Sequence, residues 1–234
     1  MKGEVTTRVM VDLIKVTKFF PPDVTALIDI SVSIQRGEMF FLVGASGAGK
    51  TTLLKLICNV EEPSKGLVEV AGEDLSKLKP RQIQKLRQRI GVAYQGFKLL
   101  PERTVAQNIA IAMEVAYKRK AVIVNRIRDL LLRLDLEDKH DTRVRDLSRG
   151  EQQRVGIARS VANNPELILA DEPTGNLDGE TTGRVMELYR QCNQSGATVI
   201  IATHDESIYT HTTHRVMELR GGRKISLTTA STTP

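Results

Sequence analysis

Tryptophan is absent and aromatic residues make up only 4% of the chain, so stacking platforms for single-stranded nucleic acid are poorly supplied. The formal charge of +6 permits an anionic partner, yet a modest excess of solvated Lys and Arg accounts for it more simply, and no nucleic acid is expected. Only two cysteines occur, Cys58 and Cys192, each in a helix-like stretch. That excludes a disulfide framework and points to a reducing cytoplasm. No apolar run approaches the length that crosses a bilayer, and the stretch Met1–Arg8 lacks the apolar core of a secretory signal. Neither an internal repeat nor an interdomain linker divides the 234 residues. A hydrophobic content of 41% suffices for a real core, and residues 1–234 read as one domain.

The pattern that is present centres on Gly44-Ala-Ser-Gly-Ala-Gly-Lys-Thr51. It follows the apolar run Met39–Val43 and precedes the helix-like Thr52–Ile57, the strand, turn and helix context of a phosphate-binding loop. Glycines let backbone N–H groups curl around phosphate oxygens, and the helix N-terminus adds favourable partial charge. Gly44, Ala45, Ser46, Gly47, Ala48, Gly49, Lys50, Thr51 and Thr52 form the expected cradle. Lys50 is expected to reach the β- and γ-phosphates and the Thr51 hydroxyl to ligate Mg²⁺. A nucleoside triphosphate is implied.

Around this loop the periodicity changes twice. Residues 9–16 and 26–34 alternate as strands about a turn at Pro21-Pro22-Asp23, and Leu67–Val70 adds a short strand, together an antiparallel layer. Residues 80–89 read as a basic helix and Ile90–Tyr94 as a strand ending at Gln95. From Thr104, a plausible N-cap, to Leu134 the pattern is helical, with apolar positions at Val105, Ile109, Ala112 and Met113, then Ile123, Ile127, Leu130, Leu131 and Leu134. Residues 96–160 therefore read as a mostly helical insert. Leu167–Ala170 and Thr198–Ala202 are continuously apolar, as buried parallel strands are, with a helix over 180–192 between them. A hairpin about Gly221-Gly222 closes the fold, and 228–234 reads as an unstructured tail.

Two further stretches carry chemistry. Asp171 ends an apolar strand, where a Mg²⁺ ligand belongs, and Glu172 is placed to orient or deprotonate an attacking water. Alone, the pair reads equally as two exposed acids in a turn. Leu147-Ser-Arg-Gly-Glu-Gln-Gln-Arg154 opens a helix, whose start suits either a bound anion or a plain Ser N-cap with an acid in the first turn; spacing does not separate the two.

The order of Gly44–Thr51, Gln95, Leu147–Gln152, Leu167–Glu172, Gly175–Asp178 and His204 resembles an ATP-binding-cassette (ABC) ATPase over almost the whole chain. The resemblance implies an α/β P-loop fold with a RecA-like core, an antiparallel β subdomain and a helical subdomain. It implies ATP and Mg²⁺, the latter held by Thr51, Gln95 and Asp171. Glu172, His204, Gln95 and Lys50 would be catalytic, and Phe20, less readily Phe19, would stack on adenine. Two copies would close head to tail, so that Ser148, Gly150 and Glu151 meet the other copy's nucleotide and Asp178 lies at the seam. Arg149 stands where the family's signature has a glycine, which would strain a backbone of positive φ; Gly96 replaces a frequent acid and is expected to loosen the loop after Gln95. The stretch Phe97, Leu99–Pro101, Arg103–Val105 and Asn108 is similar to the cell-division members of a group that also serves lipoprotein release and macrolide export. The resemblance thus implies an integral membrane permease as partner and a peripheral place on the cytoplasmic face of the cell membrane.

Overall fold

The computed structural model describes residues 8–210 and 212–228. β1 (Val9–Phe20) and β2 (Val24–Gln35) pair antiparallel about the 21–23 turn, each longer than the alternation alone suggests. β3 (Met39–Val43) leads through the glycine loop into α1 (Lys50–Ile57). β4 (Lys65–Val70) and β5 (Glu73–Asp74) complete a four-stranded antiparallel sheet in the order β2-β1-β4-β5. Next come α2 (Pro80–Arg87), β6 (Ile90–Ala93), α3 (Val105–Glu114), α4 (Lys120–Arg133) and α5 (Arg149–Val161). β7 (Leu167–Asp171), α6 (Gly179–Gln194), β8 (Thr198–Thr203), β9 (Arg215–Arg220) and β10 (Arg223–Thr228) follow. The second sheet has the order β10-β9-β3-β8-β7-β6, parallel except for β10.

Continuous apolar runs form β3, β7 and β8 because both faces of this sheet are covered. Side chains alternate between faces. Met39, Phe41, Val43, Ile168, Ala170, Val199 and Ile201 therefore face the helical side, with Val105, Ile109, Ile127, Leu130 and Val155. Phe40, Leu42, Leu167, Leu169, Ile200 and Ala202 face α1 and the antiparallel sheet, with Leu13, Ile30, Leu53 and Val70. One sheet thus divides two cores, and a one-residue slip in any of these strands would exchange their contents.

The helical run expected from Thr104 to Leu134 divides at 115–119 into α3 and α4. Thr104 caps α3: its hydroxyl accepts from Gln107 N at 3.2 Å, while the Gln107 side chain accepts from Thr104 N at 3.0 Å. All the expected apolar positions are buried except Ala112, which is only partly so. Cys58 falls just beyond α1 as its C-cap, Cys192 lies in α6, and both are free thiols. Thr228 ends β10, so the expected tail fails at its first residue; 229–234 lie outside the described residues. Among the described residues no helix is long and apolar enough to cross a membrane.

Candidate active site

The C-terminal ends of the parallel strands converge on one cavity of about 330 Å³. β3 delivers the glycine loop, β6 delivers Gln95, β7 delivers Glu172 and β8 delivers His204, while Phe20 and Val24–Ala26 close it from the antiparallel sheet. Crevices at strand ends are where open α/β sheets bind ligands.

The loop's glycines are dictated by space. Gly44 has φ +145°, and a Cβ there would stand 2.2 Å from the Leu219 carbonyl; Gly49 has φ +108°, and its Cβ would meet the Ala26 carbonyl at 2.6 Å. Gly49 also begins α1 without any side-chain cap, and no acid lies in the first turn. The first N–H groups of α1 are thus left for an anion. Lys50, buried, donates to the carbonyls of Gly44 at 2.6 Å and Ala45 at 3.3 Å and pairs with Glu172 Oε1 at 3.2 Å.

Beside it, the Thr51 hydroxyl donates to Asp171 Oδ2 at 2.8 Å. The other oxygen, Oδ1, is buried with no hydrogen-bond partner. An unpaired buried carboxylate oxygen is costly unless a donor or cation meets it. Burial pushes the Asp171 carboxyl up, against the pull of the Thr51 hydroxyl. The donors here, carboxylate, hydroxyl and the nearby Gln95 amide, are hard oxygens of the kind Mg²⁺ takes.

Glu172 sits in left-handed backbone at φ 49°. Its Oε1 lies 2.9 Å from His204 Nδ1, its Oε2 accepts from His204 N at 3.3 Å, and its N–H donates to Ala202 O at 2.8 Å. The Glu172 carbonyl accepts from Gln153 Nε2 at 3.0 Å, and Gln153 Oε1 accepts from Asn176 at 3.1 Å. Gln153, a polar residue buried on α5, was not singled out by the sequence, where it reads as one more glutamine of a polar run.

The residues expected at the site divide into three groups. Phe20, Ser46, Gly47, Ala48, Gly49, Lys50, Thr51, Thr52, Gln95, Glu172 and His204 line the cavity. Gly44, Ala45 and Asp171 lie behind it, through the contacts to Lys50 and Thr51. Ser148, Gly150, Glu151 and Asp178 do not line it. Ser148, Glu151 and Asp178 form helix caps instead, and Gly150 lies in the first turn of α5. Ser148 Oγ accepts from Glu151 N at 3.3 Å, and Glu151 Oε2 accepts from Ser148 N and Oγ, each at 2.8 Å. Burial works to raise the Glu151 carboxyl, but the bonds from Ser148 and nearby Lys139 outweigh it and hold it low. Asp178 caps α6 by accepting from Thr181 N at 2.8 Å. Phe19 is half exposed and outside the cavity.

The condition set for strain at Arg149 is not met, and the loop expected to loosen after Gly96 is held. Arg149 opens α5 in ordinary helical backbone, so no positive φ strains it. Gly96 does precede two residues of positive φ, Phe97 and Lys98, but their carbonyls accept from Arg159 of α5 at 2.7 and 2.8 Å. The loop after Gln95 is pinned.

A phosphate loop, an acid-ended β7 and this sheet order define a P-loop nucleotide-binding protein. The family model described as "ABC transporter" matches residues 27–175. The cell division ATP-binding protein FtsE of Bacillus subtilis is 43% identical over 91% of this chain and 93% of its own length. FtsE of Mycobacterium tuberculosis is 44% identical over 92% and 94%. A solved ATP-binding cassette, a dimer in a post-hydrolysis state bound to ADP and Pi, superposes with a TM-score of 0.88 at 32% identity, over 94% of this chain and 99% of that one. The chain belongs to the ABC transporter family, as an ATP-hydrolysing cassette of it.

Proposed function

We propose that this protein is the ATPase subunit of a membrane complex acting in cell division, paired with an FtsX-like permease whose extracytoplasmic part activates cell-wall hydrolases. The observation that carries the reading is identity of 43–44% over nearly the full length of relatives named for cell division. A second surface supports a partner: a groove of about 440 Å³ away from the nucleotide cavity, lined by Arg87, Tyr94, Ile111, Val115 and Arg159 among others. Its Tyr94 immediately precedes Gln95 of the nucleotide cavity, so a permease segment seated there would feel the nucleotide site.

In this reading ATP lies on the loop with its base on Phe20 and its γ-phosphate at Lys50. The phosphate competes with Glu172 for the Lys50 ammonium, leaving the carboxylate to His204 and an attacking water. Glu172 then takes the water's proton as general base. Thr51, Asp171 and Gln95 would hold Mg²⁺, which when bound neutralises phosphate charge. Ser148, Gly150, Glu151 and Asp178, set away from this cavity, are assigned to the nucleotide of a second copy; the dimeric cassette of similar fold supports that arrangement.

Glu172→Gln is expected to slow turnover by about 100-fold or more and to accumulate an ATP-bound dimer on size exclusion. Unchanged turnover would remove Glu172 from the role. Gentle solubilisation of native membranes from cells carrying the tagged variant should recover a permease together with regulators of cell-wall hydrolases. A lipoprotein-releasing or drug-exporting permease instead would move the output to export and leave the ATPase chemistry standing.

A further inference from the structure

Lys18 lies at the end of β1, two residues before Phe20 and on the same side of the strand. Its ammonium stands 4.7 Å from the centroid of the Phe20 ring. The same nitrogen pairs with Glu61 Oε2 at 2.9 Å and donates to the Glu62 carbonyl at 2.9 Å, and the side chain is only 13% exposed. Glu61 is not a remote anchor. Its N–H, like that of Val60, bonds the Lys55 carbonyl in the last turn of α1, the helix that begins at the phosphate loop. Ser64 completes the tie, donating from its N–H to Thr17 O at 2.8 Å and accepting from Phe19 N at 3.2 Å.

We infer that Lys18 is a positioning residue for the nucleotide base. The inference rests on the reading that Phe20 receives the base. Phe20 is the last residue of β1, partly buried beside the 21–23 turn. An ammonium held by two oxygens fixes one face of that ring, so a base can stack only on the other. It also draws π-electron density toward itself, leaving the open face less negative and more attractive to an electron-rich purine. Ordering the ring beforehand lowers what binding must spend on it. Because Glu61 rides on the end of α1, the base platform and the phosphate cradle are held by one set of contacts.

An ordinary strand-to-loop ion pair would affect stability alone. The two roles separate by competing ATP and inorganic tripolyphosphate against a fluorescent ATP analogue on the full chain. Lys18→Met should weaken ATP about 3- to 10-fold, the range of a partly desolvated cation–π contact, and leave tripolyphosphate unchanged; Lys18→Arg should restore most of the ATP affinity. Phe20→Ala serves as the reference and should lose at least as much ATP affinity. If Phe20→Ala weakens ATP and Lys18→Met does not, the inference about Lys18 is wrong while the base site stands. If Phe20→Ala leaves ATP binding intact, both fall. Equal loss of ATP and tripolyphosphate in Lys18→Met would also overturn it, since the lysine would then act on the phosphate loop through the fold.

Discussion

Arg149 shows how little a departure from a motif says until its backbone is known. A cation at the first position of α5 opposes the positive end of the helix dipole, and this one is exposed, with no ion pair among the described residues. Local stability gives no reason for it. If Ser148 and Gly150 meet the triphosphate of a second copy, the guanidinium adds attraction at that seam. Arg149→Gly should therefore leave the melting temperature within about 2 °C but weaken ATP-driven dimerisation, markedly at low salt and barely at high salt. Size exclusion of the variant at the two ionic strengths checks this; salt-independent dimerisation equal to that of the parent would mean the side chain is idle. Glu172 presents the opposite case. Its left-handed backbone is secured from two sides, by Ala202 on β8 and by Gln153 on α5.

Among the elements, α5 ties three parts of the site together. Its start carries the Ser148–Glu151 cap, its middle holds Glu172 through Gln153, and its last turn holds the loop after Gln95 through Arg159. Burial lowers the Arg159 pKa without threatening its charge, since a guanidinium titrates far above neutrality. Arg159→Ala would release two carbonyls beside Gln95. The expected result is a loss of about 1–3 kcal/mol in stability, read by denaturant unfolding, with altered response of the ATPase to its membrane partner. An unaltered response would separate the loop's anchoring from coupling. Asn108 does the same work farther along that loop: wholly buried, it accepts from Leu100 N at 2.8 Å and donates to the carbonyls of Leu100 and Thr104, each at 3.0 Å.

For the molecule as a whole, the N-terminal rim of the parallel sheet is tied by charge. Glu166, just before β7, accepts from Arg89 Nε at 2.8 Å and Nη2 at 2.9 Å, and from Arg36 at 3.2 Å. The bonds from Arg89 hold the Glu166 carboxyl below its ordinary value. A depressed folded pKa contributes stability above the unfolded pKa and loses it as pH falls through the folded value. Glu166→Gln should thus melt about 1–3 °C lower at neutral pH, a small gap because the group is nearly half exposed. The gap should close as pH falls below about 4; a gap constant from pH 7 to pH 3 would assign it to packing.

Much of this was written in residue order alone. The strand, glycine turn and helix at 39–57, the apolar runs of β7 and β8, and the spacing of Ile123, Ile127, Leu130 and Leu131 are local patterns. Their physics, alternation, helical period and the conformational freedom of glycine, acts between near neighbours in the chain. What the tertiary structure decided are meetings between residues far apart in it. It placed Glu61 on Lys18, Arg159 on the carbonyls of Phe97 and Lys98, and Gln153 behind Glu172. It also set the Ser148 cap outside the cavity around Lys50. No periodicity encodes such contacts, because each is made by a long side chain crossing between elements, and only the packing of the two cores on one shared sheet sets which elements come within its reach.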